Sequence, residues 1–322
     1  MQAILAVTVP FFALVLCGYL AARQGALPEA AIPGLNAFVL FFALPCMLFR
    51  FGADTPVLQL LNPVVLAVYI ASGLLIVFFT IAVTLGDRVH LKDAAFGALV
   101  AAFPNTGFMG VPLLVALMGA SAAGPVISTV LADLFITSSL CIALAQAHEA
   151  SGQGWRTAAS KALRGALSNP LPWAIALGAV ASATGARLPG PLGVIVQMLG
   201  DAATPVALFT IGAVLWRAGQ HAHTRTPASL FMPVALIKLL LHPLLVFAIG
   251  AGARAAGAPL SGFQLAVLAL AAALPSASNV SLLAERYGAD NGRVARIIMA
   301  STVLAFVSFT LLAWLIDVRP ED

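Results

Sequence analysis

Residues 101–112 read Ala-Ala-Phe-Pro-Asn-Thr-Gly-Phe-Met-Gly-Val-Pro and interrupt an apolar segment that runs from 94 to 118. Two prolines eight residues apart, with two glycines between them, prevent an uninterrupted α-helix because each proline removes a backbone donor. In hydrocarbon the freed backbone groups need partners, so such a break survives only where it packs within protein or lines a cavity. The stretch therefore predicts a broken membrane helix with a site at its break.

The composition of the whole chain is that of a membrane protein. Of 322 residues, 61% are hydrophobic and 9% are charged, whereas soluble domains carry roughly 25% charged residues. At about 20 apolar residues per helix, this content supports about ten crossings. A membrane β-barrel is excluded because its strands would alternate apolar and polar residues. The net charge of +4 comes from short loops, so it orients the chain in the bilayer and does not indicate nucleic-acid binding.

Charges and Pro/Gly clusters divide the chain into ten apolar segments, each predicted to be a transmembrane helix. Residues 1–20 lack a basic region before the apolar run, so they are predicted to form the first of these helices and not a signal peptide. A polar stretch at 148–168 is predicted to be a cytoplasmic linker between two halves, 1–147 and 169–322. The segments span residues 3–22, 33–51, 62–86, 94–118, 124–147, 169–184, 192–216, 229–253, 261–284 and 294–316.

Basic residues are distributed unequally between the two sides of this arrangement. The odd-numbered connections hold eleven Lys and Arg residues, whereas the even-numbered connections and the C-terminus hold four. Because short cytoplasmic loops are enriched in Lys and Arg, the odd connections are predicted to be cytoplasmic. Both termini then lie outside, in the periplasm, and the protein is predicted to be a multi-pass protein of the cell (inner) membrane.

The two halves of the chain share motifs in the same order. Since each half has five helices, an odd number, the second half enters the membrane from the opposite side, and the repeat is inverted. Inverted repeats whose helices are interrupted at matching positions are typical of secondary transporters. The matching pairs are Gly18 and Gly178, Pro45 and Pro205, each 160 residues apart, and Pro104 and Pro275, 171 residues apart.

The two breaks are predicted to form a binding site for an anion. Half-helix N-termini present free N–H groups and partial positive charge, which favour a carboxylate. The alternative is that proline and glycine merely kink the helices, as they often do in membranes. The predicted substrate-binding residues are Pro104, Asn105, Thr106, Gly107, Pro275, Ser276, Ser278 and Asn279.

Ionisable residues within the predicted segments are candidates for charge or coupling roles. A buried charge in a membrane usually faces a partner or a watery pocket. Three roles are therefore predicted for Lys238 as alternatives. It attracts an anionic substrate, it takes the place of a coupling cation, or it forms an ion pair with Asp133 or Asp201. Asp133 either takes part in proton or ion coupling or joins helices by hydrogen bonds. His242 either titrates near neutral pH or is a packing residue.

Other chemistries lack a signal in the sequence. The three cysteines lie far apart within apolar segments, so no metal site, disulfide or cofactor is predicted. An enzyme would need a cluster such as HExxH or paired aspartates, which the chain lacks. A channel would need a continuous polar stripe, which the Ala/Leu/Val-rich helices do not offer. These observations favour a transporter.

Three motifs resemble those of the auxin efflux carrier family of permeases. Residues 104–113 are similar to the fourth-helix motif of that family, residues 274–279 with 283–288 to its ninth-helix motif, and residues 201–212 to its seventh-helix signature. The resemblance extends over essentially the whole chain. The sequence departs from the family motif at Ser276, which follows the proline of the second break where an Asn is expected. Whether Asn279 takes the position in the second half that Asn105 has in the first therefore stays open.

The resemblance implies an all-α polytopic fold of ten helices, an inverted five-plus-five repeat in which helices 4 and 9 are broken and cross. Helices 1, 2, 6 and 7 would form a scaffold and a homodimer interface, and helices 3–5 and 8–10 a moving transport unit. Its crossover residues would be Pro104, Asn105, Pro275 and Asn279. Substrates would be small organic anions, either dicarboxylates such as malonate or malate, or auxin-like carboxylates.

We therefore expect a secondary transporter of organic anions in the lipid bilayer that works by elevator-type alternating access. The absence of a large hydrophilic loop favours a compact bacterial permease. The alternative is a sodium- or proton-coupled carrier of a different solute on the same fold, in which Asp133 titrates or binds the coupling ion (H⁺ or Na⁺).

Overall fold

The computed structural model describes residues 1–146, 167–220 and 226–318. Apart from residues 167 and 168, the predicted linker lies outside the described residues. Every regular element within them is helical. Besides a short helix at Val57–Leu60, these are in chain order α1 (Gln2–Arg23), α2 (Glu29–Asp54), α3 (Pro63–Thr84), α4 (Leu91–Ala102), α5 (Thr106–Met118), α6 (Ala120–Gln146), α7 (Pro170–Thr184), α8 (Gly190–Gln220), α9 (Ala228–Ala255), α10 (Gly262–Ala273), α11 (Val280–Arg286) and α12 (Asn291–Leu315).

Within the described ranges, seven helices are long and apolar enough to cross a membrane, namely α1, α2, α3, α6, α8, α9 and α12. Three further apolar helices are shorter: α5, α7 and α10. The all-helical class expected of a polytopic membrane protein is thus confirmed. The predicted fourth segment is divided into α4 and α5 and the ninth into α10 and α11, because prolines interrupt both. A total of ten crossings would require these divided segments and α7 to cross as well.

Local sequence explains where several helices begin. The side chain of Asn62 accepts hydrogen bonds from the N–H groups of Val64 and Val65, and Pro63 opens α3. Asn169 caps α7 in the same way, with a proline at the first position. Ser261 and Gln264 form a reciprocal capping box at the start of α10. Polar caps at these positions satisfy backbone donors that the membrane would leave unpaired.

Helices α1 and α8 pack backbone to backbone at two glycines. A Cβ atom on Gly18 would lie 1.8 Å from the carbonyl oxygen of Phe209, and one on Gly212 would lie 1.9 Å from the carbonyl oxygen of Val15. No residue with a side chain fits either position without separating the helices. Small residues permit this close approach where both helices are embedded in lipid.

Helices α2 and α7 make a contact of the same kind. A Cβ atom on Gly178 would lie 2.5 Å from the carbonyl oxygen of Phe49 and 3.0 Å from the Cα of Gly52. Gly178 follows Gly18 by 160 residues, and Phe209 follows Phe49 by the same interval. The Gly18–Phe209 contact and the Gly178–Phe49 contact are therefore related by exchange of the two halves of the chain.

Several basic residues counted in the connections lie on helices, and two of them have defined places in the structure. Arg50 on α2 pairs with Asp201 on α8, with 2.6 Å between Nη1 and Oδ1. Asp201 is thus not the counter-ion of Lys238, and it lies within α8, which begins at Gly190, and not near the start of its helix. Arg293 at the start of α12 is buried. Without Arg50 and Arg293 the odd-numbered connections hold ten basic residues and the even-numbered connections and the C-terminus three, so the excess remains in the odd-numbered connections.

The two helices that precede the breaks each contain a continuous buried stretch. Residues 94–102 of α4 are all buried, and so are residues 267–273 of α10. A helix buried on every side lies within the protein and not against lipid. This placement puts both breaks in the interior, where non-helical backbone is tolerated.

Candidate functional site

The two breaks meet and satisfy each other's backbone. The N–H of Asn105 donates to the carbonyl oxygen of Pro275 at 2.8 Å, and the N–H of Ala277 donates to that of Phe103 at 3.0 Å. Pro104 lies opposite Ser276 in this short antiparallel pairing. Backbone groups that the prolines remove from helices thus find partners in the other break.

The first break leaves two buried polar groups without a partner. Asn105 is only 2% exposed, and its carbonyl oxygen accepts hydrogen bonds from the N–H groups of Met109 and Gly110 at 3.0 Å each. Its side-chain Nδ2 and the hydroxyl of Thr106 have no hydrogen-bond partner among the described residues. Leaving a buried donor unpaired costs roughly 1–3 kcal/mol, so two adjacent cases at one break make it a candidate place for a ligand or an ordered water.

These groups lie at the beginning of α5. The helix starts with a π-helical turn at Thr106–Gly110, and Asn105 is its N-terminal flanking residue. Free N–H groups and partial positive charge at such an end favour an anion. Gly107 leaves room there, because an added Cβ would meet only Leu171, at 3.9 Å.

The second break is not equivalent to the first. The hydroxyl of Ser276 donates to the carbonyl oxygen of Val100 at 2.7 Å, and its N–H donates to the hydroxyl of Ser301 at 3.2 Å. Ser276 therefore caps the end of α4, and both its N–H and its hydroxyl have partners within the protein, unlike the side chains of Asn105 and Thr106. Ser278 and Asn279 lie instead on the wall of a cavity.

This cavity has a volume of about 890 Å³ and lies between α2 and α8 on one side and α11 and the start of α12 on the other. Its size is within the range of small-molecule sites. Asn105 and Thr106 are not among its described lining residues. The polar lining comprises Asn36, Arg217, Ser278, Asn279, Ser281, Glu285, Asp290 and Asn291.

The wall of the cavity carries charges of both signs. The guanidinium of Arg217 lies 3.5 Å from a carboxylate oxygen of Glu29, and both side chains are partly exposed. Glu285 and Asp290 contribute carboxylates. Exposed pairs of this kind contribute little to stability, so Arg217 is available to an incoming anion at small cost.

The charge and coupling candidates form a separate buried cluster. The carboxylate of Asp133 accepts a hydrogen bond from Tyr69 Oη at 2.9 Å and from Thr137 Oγ1 at 3.2 Å. The ammonium of Lys238 lies 3.3 Å from Nδ1 of His242. The rings of Tyr69 and His242 lie 6.0 Å apart, so Asp133, Lys238 and His242 lie in one buried cluster.

Tyr69 and Thr137 belong to this cluster and were not predicted. Nothing in their local sequence distinguishes them, since both lie in apolar helices. Asp133 and Lys238 each lie on a π-helical turn, Asp133–Thr137 and Ile237–Leu241. Such turns often occur at functional sites, but hydropathy does not reveal them.

Comparison with known proteins places these features in a family. Residues 3–313 match the family described as "Membrane transport protein". The chain is similar to the "Putative malonate transporter" of Rhizobium meliloti (strain 1021), with 28% identity over 98% of this chain and 97% of the relative. It is also similar to the "Uncharacterized transporter YfdV" of Escherichia coli (strain K12), with 26% identity over 92% of each chain. An "Uncharacterized transporter" of Methanothermobacter thermautotrophicus is 29% identical over 92% of this chain and 93% of its own.

A match over nearly the whole chain, together with apolar helices long enough to span a bilayer, supports a multi-pass membrane protein. The relatives named here are called transporters, so transport and not catalysis is the activity that they support. The chain belongs to the membrane transport protein family, the auxin efflux carrier family that its motifs resemble.

Proposed function

We propose that this protein is a secondary transporter of small organic anions, such as malonate or malate, that works by alternating access. The observation that carries the proposal is the pair of unpartnered polar groups at the first break, Asn105 Nδ2 and Thr106 Oγ1. They lie at the N-terminal end of α5, where the amide donor and the helix dipole both favour a carboxylate.

The substrate class is supported by the relative from Rhizobium meliloti, which is named as a malonate transporter over almost the same length. A dicarboxylate fits the chemistry of the two breaks. One carboxylate would meet Asn105, Thr106 and Gly107, and the other would meet Ser278 and Asn279 beside Pro275 and Ser276. Auxin-like carboxylates carry one such group and would use the first break.

The cavity supports a route by which the substrate reaches the site from one side of the membrane. Its wall includes Arg217 at the end of α8 and residues 289–292 at the start of α12. These belong to odd-numbered connections, which the Lys and Arg distribution assigns to the cytoplasm. In this proposal the described conformation is open towards the cytoplasm, both termini are periplasmic, and the protein lies in the inner membrane.

We further infer a ten-helix inverted repeat in which helices 4 and 9, formed by α4–α5 and α10–α11, cross at their breaks. The exchange-related glycine contacts of α1 with α8 and α2 with α7 support it. The pairing of the breaks supports it too, because it places Pro104 and Asn105 directly beside Pro275 and Ser276, their counterparts in the second half.

In this arrangement α1, α2, α7 and α8 form the scaffold, and α3–α6 and α9–α12 form the transport unit. The cavity lies between the two groups, as an elevator-type motion requires. Large apolar side chains on the outer surface of α7, including Trp173 and Leu177, are exposed. They offer the scaffold a surface for a homodimer.

The test is uptake of radiolabelled malonate, malate and indole acetate into proteoliposomes. Asn105→Ala should lower uptake about tenfold or more, because a hydrogen bond to a charged group contributes about 1.5–3 kcal/mol. Thr106→Val should lower it less. Thr8→Val is the matched control, since Thr8 also has a buried, unpartnered hydroxyl but lies on α1. Wild-type uptake by correctly folded Asn105→Ala would overturn the site assignment.

A further inference from the structure

The carbonyl group of Ala272, at the end of α10, has an unusual partner. In a continuous helix it would accept a hydrogen bond from the N–H of Ser276, four residues on. That N–H donates instead to the hydroxyl of Ser301 at 3.2 Å. The ammonium group of Lys238, on α9, donates to the Ala272 carbonyl oxygen at 2.5 Å. A positive charge thus satisfies a carbonyl that the break has freed.

This position has the character of a cation site. The C-terminal end of a helix carries partial negative charge, and in transporters the C-terminal ends of half-helices and unwound carbonyls coordinate Na⁺ or H⁺. The carboxyl group of Asp133 belongs to the same buried cluster and adds a negative charge when it is ionised. Nδ1 of His242 lies 3.3 Å from the ammonium nitrogen.

The surroundings hold these groups in place and keep water away. Asp133, Lys238 and His242 are fully buried. Tyr69 Oη and Thr137 Oγ1 orient the Asp133 carboxylate, and the rings of Tyr69 and His242 lie 6.0 Å apart. A buried ionised carboxylate without a compensating cation is strongly destabilising, so the ionised form of Asp133 requires a positive charge in the cluster.

We propose that the ammonium group of Lys238 permanently fills a monovalent-cation site at the end of α10, so that transport proceeds without Na⁺. The proposal rests on the transport function inferred above and concerns its coupling. The cluster lies on α3, α6, α9 and α10, all within the transport unit of that proposal. Because the ammonium is covalently tethered, it moves with the unit and does not exchange with the solution on either side.

Removing the lysine should uncover the site. Lys238→Ala leaves the Ala272 carbonyl, the Asp133 carboxylate and the His242 nitrogen without their cation, and Na⁺ is small enough to enter the vacated volume. Leu239→Ala is the matched control, because it removes a neighbouring buried side chain from the same π-helical turn without changing charge. Lys238→Arg retains the charge and should need no Na⁺.

The first measurement is malonate uptake into proteoliposomes with NaCl or choline chloride on both sides. Wild-type uptake should be equal in the two salts. Lys238→Ala should lose about tenfold or more in choline chloride and recover in NaCl. A dependence of wild-type uptake on Na⁺ would overturn the proposal, and so would equal activity of Lys238→Ala in both salts.

The second measurement is thermal unfolding in detergent, which does not involve substrate. Saturating Na⁺ should raise the Tm of Lys238→Ala by about 3 °C or more and leave wild type and Leu239→Ala unchanged. If Lys238→Ala aggregates in choline chloride, Lys238→Gln replaces it, and failure of Na⁺ to stabilise either variant overturns the proposal. Because no substrate is present, this result decides the cation site even if malonate is not transported.

Discussion

Replacement of Gly18 by alanine tests the contact between α1 and α8 on which the scaffold depends. The added Cβ would lie 1.8 Å from the carbonyl oxygen of Phe209. Carbon and carbonyl oxygen atoms approach to about 3.3 Å in close backbone contacts, so the two helices must separate by about 1.5 Å. The obstacle is backbone and not a flexible side chain, so no rotamer change relieves it.

The magnitude follows from two opposing contributions. Overpacking a well-packed contact costs typically 1–3 kcal/mol, occasionally more, and so severe an overlap puts Gly18→Ala at about 3 kcal/mol. Alanine gains about 1 kcal/mol over glycine in a helix. The net loss of about 2 kcal/mol should lower the Tm by about 3 °C at this chain length.

The assay is thermal unfolding of purified protein in detergent, followed by intrinsic tryptophan fluorescence. Gly252→Ala is the matched control, because Gly252 lies in α9 and an added Cβ there meets nothing within 4 Å. That variant should be as stable as wild type or more so. Gly178→Ala, with an overlap at 2.5 Å, should fall between the two. A Tm for Gly18→Ala at or above that of Gly252→Ala would refute the reasoning.

Two further substitutions address buried polar contacts. Tyr69→Phe removes the 2.9 Å hydrogen bond to Asp133 and should cost about 2 kcal/mol; an unchanged Tm would show that this bond does not hold the carboxylate. Arg293 donates to the carbonyl oxygens of Leu230 and Asp93 at 2.9 and 2.8 Å, so Arg293→Met should destabilise by about 3 kcal/mol. Arg293→Lys should not restore the Tm, because an ammonium lacks the planar fork that reaches both carbonyls; full restoration would contradict this account.

The class of protein and the positions of the breaks were predictable because their causes are local. An apolar run of helical length indicates a membrane helix wherever it occurs, and a proline removes a donor in any fold. The motif around Pro104 and Asn105 was long enough to indicate the family. The ends of helices were less predictable, and α8 begins earlier and ends later than the apolar segment.

The partners of the polar residues were not predictable, because they depend on packing between distant parts of the chain. Asp133 and Asp201 were equivalent candidates for Lys238 until α2 placed Arg50 beside Asp201. Ser276 and Asn279 lie three residues apart, yet one caps α4 and the other faces the cavity. Prolines and apolar runs affect only the nearest few residues of the chain, so the helices and breaks that they produce can be predicted from the sequence. Which carbonyl meets which ammonium is set by the relative positions of helices, which arise only when the whole interior packs together.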